Sequence, residues 1–556
     1  MTRSPLALAL LVLMATSCQP RPAAPLSDTY AVVNARIWTA APAAPWAEAM
    51  RIERGVVAAI GSRQEVLDGL DAGIALMDAH GAFLAPGFID SHVHFLEGGM
   101  RLASVQLRDA DSPEDFARRI ADYAATLEAG TWILGGDWDH ENWGGALPER
   151  AWIDAITPDH PVWVSRLDGH MALANTRALE AAGVTAATAD VFGGEIVRDD
   201  AGNPTGLLKD NAMNLVWRVV PDPSPAQLDR ALEAAMAYVN AQGVTGVYNM
   251  GTMQDVDVFE RARDAGRLTT RIYAATPLAA WPALAERVAS RGRGDDWVRI
   301  GGLKGFVDGS LGSHTAAFFE PFTDAPGDSG FFVESEDDLR RWIAGADSAG
   351  LQVMVHAIGD RAIHTLLNLF EDTASRHGPR DRRFRIEHAQ HIAPADIPRF
   401  AALRVIASMQ PYHAIDDGRW AERVIGPERS KTTYAFRSLI DAGAHVAFGS
   451  DWFVAPPTPL EGIYAAVTRR TLDEAHPGGW VPEQKIGVEE ALAAYTREAA
   501  YAAFDEEQRG ALRVGMSADF VLIDRDLTRI APETLRDARI VKTVVGGKVV
   551  YEAPAP

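Results

Sequence analysis

Between residues 85 and 449 short apolar runs alternate with amphipathic stretches, and this rhythm constrains the fold more than any other feature of the chain. Eight runs read as strands: 85–91, 244–248, 270–274, 300–306, 351–355, 384–387, 405–409 and 445–449. Helical patterns such as 225–241 and 337–349 lie between several of them, as crossovers between parallel strands require. Eight alternations predict an α/β chain closed into a (β/α)8 barrel over 85–504, with its chemistry at the C-terminal strand ends. The gap at 101–225 is too long for one crossover. It carries a helical pattern at 113–127 and strand-like runs at 131–135 and 161–165, which predicts an inserted α/β subdomain. Further strand-like runs at 30–39 and 49–61, and again at 518–523, 540–545 and 546–551, predict one composite β-sandwich assembled from 29–84 and 505–553.

The 556 residues are 47% hydrophobic, enough to bury a large core. The formal charge of −22 argues against a nucleic-acid partner, whose phosphates call for clustered Lys and Arg. Cys18 is the single cysteine, so neither an internal disulfide nor a thiolate metal cluster can form. Arg3 precedes an apolar run at 6–15 that is too short to span a bilayer comfortably, and Ala15-Thr16-Ser17-Cys18 follows as a small-residue cleavage site. A cysteine in that place resembles a bacterial lipobox. Residues 1–18 are therefore expected to be a lipoprotein signal peptide and 19–28 a Pro/Ala-rich tether. The mature protein would sit at the periplasmic face of a membrane, touching it through lipid alone. The plainer alternative is a periplasmic or secreted protein with an incidental cysteine.

The first barrel run ends in Asp90-Ser91-His92-Val93-His94. Residues i and i+2 of a strand share a face, so His92 and His94 can offer two imidazoles to one metal. The fifth run ends at His356, the sixth at His388 and the eighth at Asp451. Each alone reads as a polar cap on a strand; together they deliver a metal-ligand set to one barrel mouth. Lys304 lies inside the fourth run, where an unpaired ammonium is costly to desolvate. Taken alone it reads as a salt bridge to Asp308. Beside the histidines it reads as a neutral amine that takes up CO2 to become a carbamate, an anion able to bridge two cations.

The set Phe88-Ile89-Asp90-Ser91-His92-Val93-His94, Lys304, His356, Arg385-Ile386-Glu387-His388-Ala389-Gln390 and Gly449-Ser450-Asp451 resembles the metal-dependent amidohydrolase superfamily. Asp308-Gly309-Ser310-Leu311-Gly312-Ser313, Ser408-Met409-Gln410-Pro411 and the long insertion narrow the resemblance to the branch containing N-substituted formamide deformylases (amidohydrolase family 3). It covers residues 28–552. The resemblance implies that His92, His94 and Asp451 hold one metal, that His356 and His388 hold a second, and that carboxylated Lys304 bridges the two. Zinc suits these donors best, with Fe, Mn or Co as substitutes. It implies further that a small-molecule amide (N-formyl or N-acyl, linear or cyclic) loses a non-peptide C–N bond, with Asp451 as general base and then general acid.

The chain departs from many relatives at His314, where Arg is usual, and at Trp452-Phe453, where a smaller residue and Pro are common. Candidate substrate contacts are Trp138, His140, Asp168 and His170 in the insertion, His314, and Gln410, His413 and Arg437 from the seventh strand onward. The same barrel also serves deaminases of small heterocycles. A surface-anchored binding protein with a silent barrel is the reading from another class. Homodimers are common among similar proteins.

Overall fold

The computed structural model describes residues 28–68 and 73–554, so the expected signal peptide, Cys18 and all but the last residue of the tether lie outside the described residues. Eight strands form one parallel sheet in chain order: β1 (Phe88–Val93), β2 (Val244–Met250), β3 (Arg271–Pro277), β4 (Val298–Phe306), β5 (Gln352–Ala357), β6 (Arg385–His388), β7 (Ile406–Met409) and β8 (Val446–Phe448). These strands are buried on both faces. All six residues of β5 are buried, which is why its sequence runs apolar without alternation. Between strands the helices announce themselves by their caps. Pro225–Ala241 opens with a Ser224/Gln227 capping box and Pro225 in its first turn, and Glu336–Ser348 opens on the Ser335 side chain. The apolar stripe of the first, including Leu228, Leu232 and Val239, joins Phe88 and Val244 in one core.

The ring closes just beyond the ends of β8 and β1. Asp451 N donates to the His92 carbonyl at 2.7 Å, and His94 N donates to the Trp452 carbonyl at 2.6 Å. Val93 and Trp452 pair there in parallel. A Cβ at Gly449 would stand 2.6 Å from His92 N and 2.8 Å from Asp90 Oδ1, so only glycine allows this approach. The barrel is thus shut by the residues expected to carry its chemistry.

Two smaller sheets pack beside the barrel. One has four strands: Thr29–Val33, Ala49–Glu53, Val56–Gly61 and Ala75–Asp78. The other joins Arg36–Trp38, Trp46–Ala47 and Phe83–Pro86 to Phe520–Ile523, Ile540–Val545 and Lys548–Glu552 from the far end of the chain. Phe83–Pro86 and Phe520–Ile523 run antiparallel, Phe520 opposite Pro86, and Tyr30, Ile52, Leu84, Phe520 and Val544 share one core. The two termini therefore build a single β unit. Arg271 of β3 fastens it to the barrel through two hydrogen bonds to Asp519, at 2.6 and 3.0 Å.

The insertion carries the expected helix, Pro113–Ala124, which ends three residues short of the expected 127. It also carries a six-stranded mixed sheet in the order Gly194–Arg198, Pro204–Asp210, Met171–Ala174, Val162–Arg166, Ile133–Trp138, Val105–Gln106. The sequence pattern marks only two of those strands, Ile133–Trp138 and Val162–Arg166.

Candidate metal centre

The tips of β1 and β8 set the first group. One ligand atom each from His92, His94 and Asp451 lies within 4.8 Å of the others. His92 Nε2 is 3.3 Å and His94 Nε2 3.4 Å from Asp451 Oδ1. That carboxylate oxygen is buried and has no hydrogen-bond partner. Asp451 adopts φ +61°, and His388 on β6 adopts φ +72°. Left-handed backbone is rare away from glycine, and here it occurs at two strand tips that face the same mouth.

Behind the first group lies a buried chain of charged side chains from the Arg385–Gln390 motif to which the sequence reading assigned no role. His92 Nδ1 donates to Glu387 Oε2 at 2.5 Å, and Arg385 donates to both oxygens of Glu387, at 2.7 and 3.0 Å. Arg385 and Glu387 alternate along β6 and so share its inward face, which is the signal their spacing carried. Burial works against the Glu387 charge, but Arg385 and then His92 outweigh it and hold the carboxyl at about 2. Burial, followed by the Lys304 charge, pushes His92 down to about 4, leaving a neutral imidazole whose free nitrogen can bind a cation. Asp451 is held well below the carboxylate range, because the neighbouring imidazoles outweigh the cost of its burial.

Lys304 is buried, with Nζ 3.1 Å from His92 Nε2, and burial lowers it to about 8. It makes no pair with Asp308. That carboxylate is occupied by the backbone N–H groups of Ala317, Ile358 and Gly359 at 2.8, 3.0 and 2.8 Å. The salt-bridge reading of Lys304 therefore fails.

His388 gathers a second group. It, His413 and Asp451 also present ligand atoms within 4.8 Å of one another. His388 Nδ1 donates to Gln410 Oε1 at 2.8 Å. His356 stands beside it, ring centroids 4.5 Å apart, and donates from Nε2 to the Gly309 carbonyl at 3.0 Å, which leaves Nδ1 as its lone-pair nitrogen. Imidazole nitrogens and carboxylate oxygens, two of them (His413 Nε2 and Asp451 Oδ1) buried and unpartnered, are a donor set that fits divalent metal.

A cleft of about 1640 Å3 opens from this floor, and His94, Lys304, His356, His388 and Asp451 line its base. The insertion supplies a wall. His170 lines the cleft, its ring 4.9 Å from that of His356, and its Nδ1 donates to Asp210 Oδ1 at 2.6 Å. Burial opposes a charge on His170, and Asp210 more than offsets this, so its pKa is raised. Asp168 also lines the cleft, but its Oδ2 accepts from Arg166, Ser310 and Ser313. The Phe453 ring lies 5.5 Å from that of His94, and the Arg101 guanidinium sits 3.5 Å over the Phe453 ring.

Five of the eight expected substrate contacts lie off the cleft lining and are corrected. Trp138 is wholly buried in the core of the insertion, its indole N–H donating to the Val164 carbonyl. Arg437 lies on the helix Phe436–Asp441, bound to Glu490 and Asp441 and away from the cleft lining. His140 is buried behind Arg166, accepting from its Nε at 3.2 Å, and His314 is paired with Asp324 at 3.0 Å; neither lines the cleft. Gln410 acts one step back, through His388, whereas His413 lines the cleft.

The family model described as the amidohydrolase family matches residues 75–551. The chain is 40% identical over 535 residues to Protein LONG AFTER FAR-RED 3 of Arabidopsis thaliana, covering 94% of this chain and 91% of that one. It is 26% identical over 549 residues to the N-substituted formamide deformylase of Arthrobacter pascens, covering 94% and 98%. The crystal structure of an uncharacterized metal-dependent hydrolase from Pyrococcus horikoshii OT3 superimposes with a TM-score of 0.74 at 27% identity, over 91% of this chain and 99% of the other. A match running from the β unit through the barrel and back, over a ligand set at the strand tips, makes this chain a metal-dependent enzyme of the amidohydrolase family.

Proposed function

We propose that the enzyme hydrolyses a non-peptide C–N bond in a small-molecule amide of the N-formyl or N-acyl type, linear or cyclic. The observation that carries this reading is the unpartnered Oδ1 of Asp451 between His92 Nε2 and His94 Nε2. It places an ionised, buried carboxylate where it can both bind a cation and receive a proton. The name of the Arthrobacter relative favours the N-formyl class.

His92, His94 and Asp451 would hold one cation, His356 and His388 a second, with Lys304 as a bridging carbamate; zinc is the ion these donors favour. Such cations polarise a carbonyl and lower the pKa of water toward neutrality. Asp451 then takes the proton from the attacking water. The oxygen bonds to the carbonyl carbon, the C–N bond breaks, and Asp451 returns that proton to the departing nitrogen. Glu387 keeps His92 in the tautomer that leaves Nε2 unprotonated. His170, anchored by Asp210, faces the substrate from the insertion. The lipobox-like segment supports export and anchoring at the periplasmic face.

The test is a turnover screen of metal-loaded protein against N-formyl amines, N-acyl amino acids, aryl amides and cyclic imides, with Asp451→Asn as control. Release of amine from at least one class, abolished in the variant, is expected. Inertness toward all four classes would sink the proposal.

A further inference from the structure

Gln410-Pro411-Tyr412-His413 follows β7 directly, and its two polar residues turn toward the same imidazole. Gln410 occupies the N-cap position of the helix Pro411–Asp417 but makes no side-chain capping bond there. Its Oε1 accepts instead from His388 Nδ1 at 2.8 Å. That bond places the His388 proton on Nδ1 and leaves Nε2 as a donor for a cation. Three residues on, one helical turn later, His413 comes round to the same face. Its ring lies nearly parallel to that of His388, with 11° between planes and centroids 6.5 Å apart.

His413 Nε2 is buried and has no hydrogen-bond partner. A buried polar nitrogen left alone forfeits its hydration with nothing in return, so such an atom calls for an occupant that the protein itself does not supply. Asp451 Oδ1 is likewise buried without a partner. The carboxylate reaches toward both groups: Oδ1 lies 3.3 and 3.4 Å from Nε2 of His92 and His94, and Oδ2 lies 3.9 Å from the protonated Nδ1 edge of the His388 ring. His388, His413 and Asp451 each present a ligand atom within 4.8 Å of the others, a bound that His92, His94 and Asp451 also meet.

We propose that His413 is a protein ligand of the second cation, with His388 and with Asp451 shared between the two sites. The inference rests on the metal-centre reading above and adds a donor from beyond β7 to those at the strand tips. It also gives Gln410 a purpose, since one short segment then aligns one ligand and supplies another.

The experiment counts metal in the full mature chain, loaded with zinc and dialysed, by elemental analysis, and records the visible absorption of the cobalt(II)-loaded form. Wild type is expected to hold about two equivalents, and His413→Ala about one, with a changed cobalt spectrum and native circular dichroism. His413→Asp, which restores an oxygen donor, should recover most of the second equivalent. Retention of both equivalents and an unchanged spectrum in His413→Ala overturns the assignment. Loss in His413→Asp equal to that in His413→Ala also overturns it, because it marks a packing role. A wild-type chain that binds no metal defeats the underlying reading, an outcome distinct from both.

Discussion

Glu387 grips His92 from beneath the cleft: 2.5 Å separates Oε2 from Nδ1, and neither side chain has any solvent exposure. A carboxylate behind an imidazole fixes the tautomer and raises the basicity of the opposite nitrogen. Glu387→Gln keeps the shape but removes the charge. It is expected to weaken metal affinity by about 10–100-fold, read by competition with a chelator. Unchanged affinity would show that His92 needs no such support.

Gly449 tests how tightly ring closure and chemistry are joined. Alanine there brings a methyl within 2.6 Å of His92 N and 2.8 Å of Asp90 Oδ1. One of the two strand tips must move, and Asp451 lies two residues away. A displacement near 1 Å at a reacting group costs up to about 100-fold, so kcat in Gly449→Ala should fall by about that factor while much of the fold survives. Wild-type kcat in a folded variant would refute the coupling.

The strand tips were legible in the sequence because a doubly buried strand shows as an uninterrupted apolar run, and the polar residue ending it stands out. His92, His356, His388 and Asp451 could be found that way. The insertion was less legible. Its strands Met171–Ala174 and Gly194–Arg198 are four and five residues long, too short for alternation to declare itself. Trp138 and Arg437 were misplaced for a different reason. A tryptophan near histidines and an arginine after β7 have the right chemistry for a pocket, but the facing of each is decided by packing partners far away in the chain, Val164 in one case and Glu490 in the other. The convergence of His413 on His388 and Asp451 has the same long-range origin.

Arg437 offers a contrast to the cleft residues. Its partners Glu490 and Asp441 are partly exposed, and such pairs contribute only about 0–1 kcal/mol. Arg437→Ala should leave kcat and KM unchanged with a small loss of stability. A raised KM would return Arg437 to the substrate site.

The pair Arg271–Asp519 predicts how acid loosens the β unit from the barrel. Burial would raise the Asp519 carboxyl, but Arg271 outweighs it and lowers the pKa below the ordinary 3.8. A carboxyl with a lower pKa when folded stabilises the native state above its unfolded pKa. That contribution fades as pH falls through about 4 toward the folded value. Asp519→Asn, which strands a buried guanidinium, should cost about 3–5 kcal/mol near pH 7. In urea titrations the gap between wild type and variant should shrink below pH 4. A gap independent of pH would mean the pair acts through packing.

Lys304 carries the last expectation. Its ammonium is buried among side chains, with His92 Nε2 at 3.1 Å, and a pKa brought to about 8 leaves a useful fraction of free amine near neutrality. That amine can add to CO2. The resulting carbamate replaces a buried cation by an anion facing two groups of metal donors, so metal and CO2 should bind cooperatively. Reconstitution of chelator-treated protein with zinc should therefore be faster and more complete with bicarbonate present. Isotopically labelled bicarbonate should yield a carbamate carbon signal that is lost in Lys304→Ala. Identical recovery with and without bicarbonate, and no labelled carbon in the protein, would establish Lys304 as a plain amine and require the two cations to be joined by Asp451 alone.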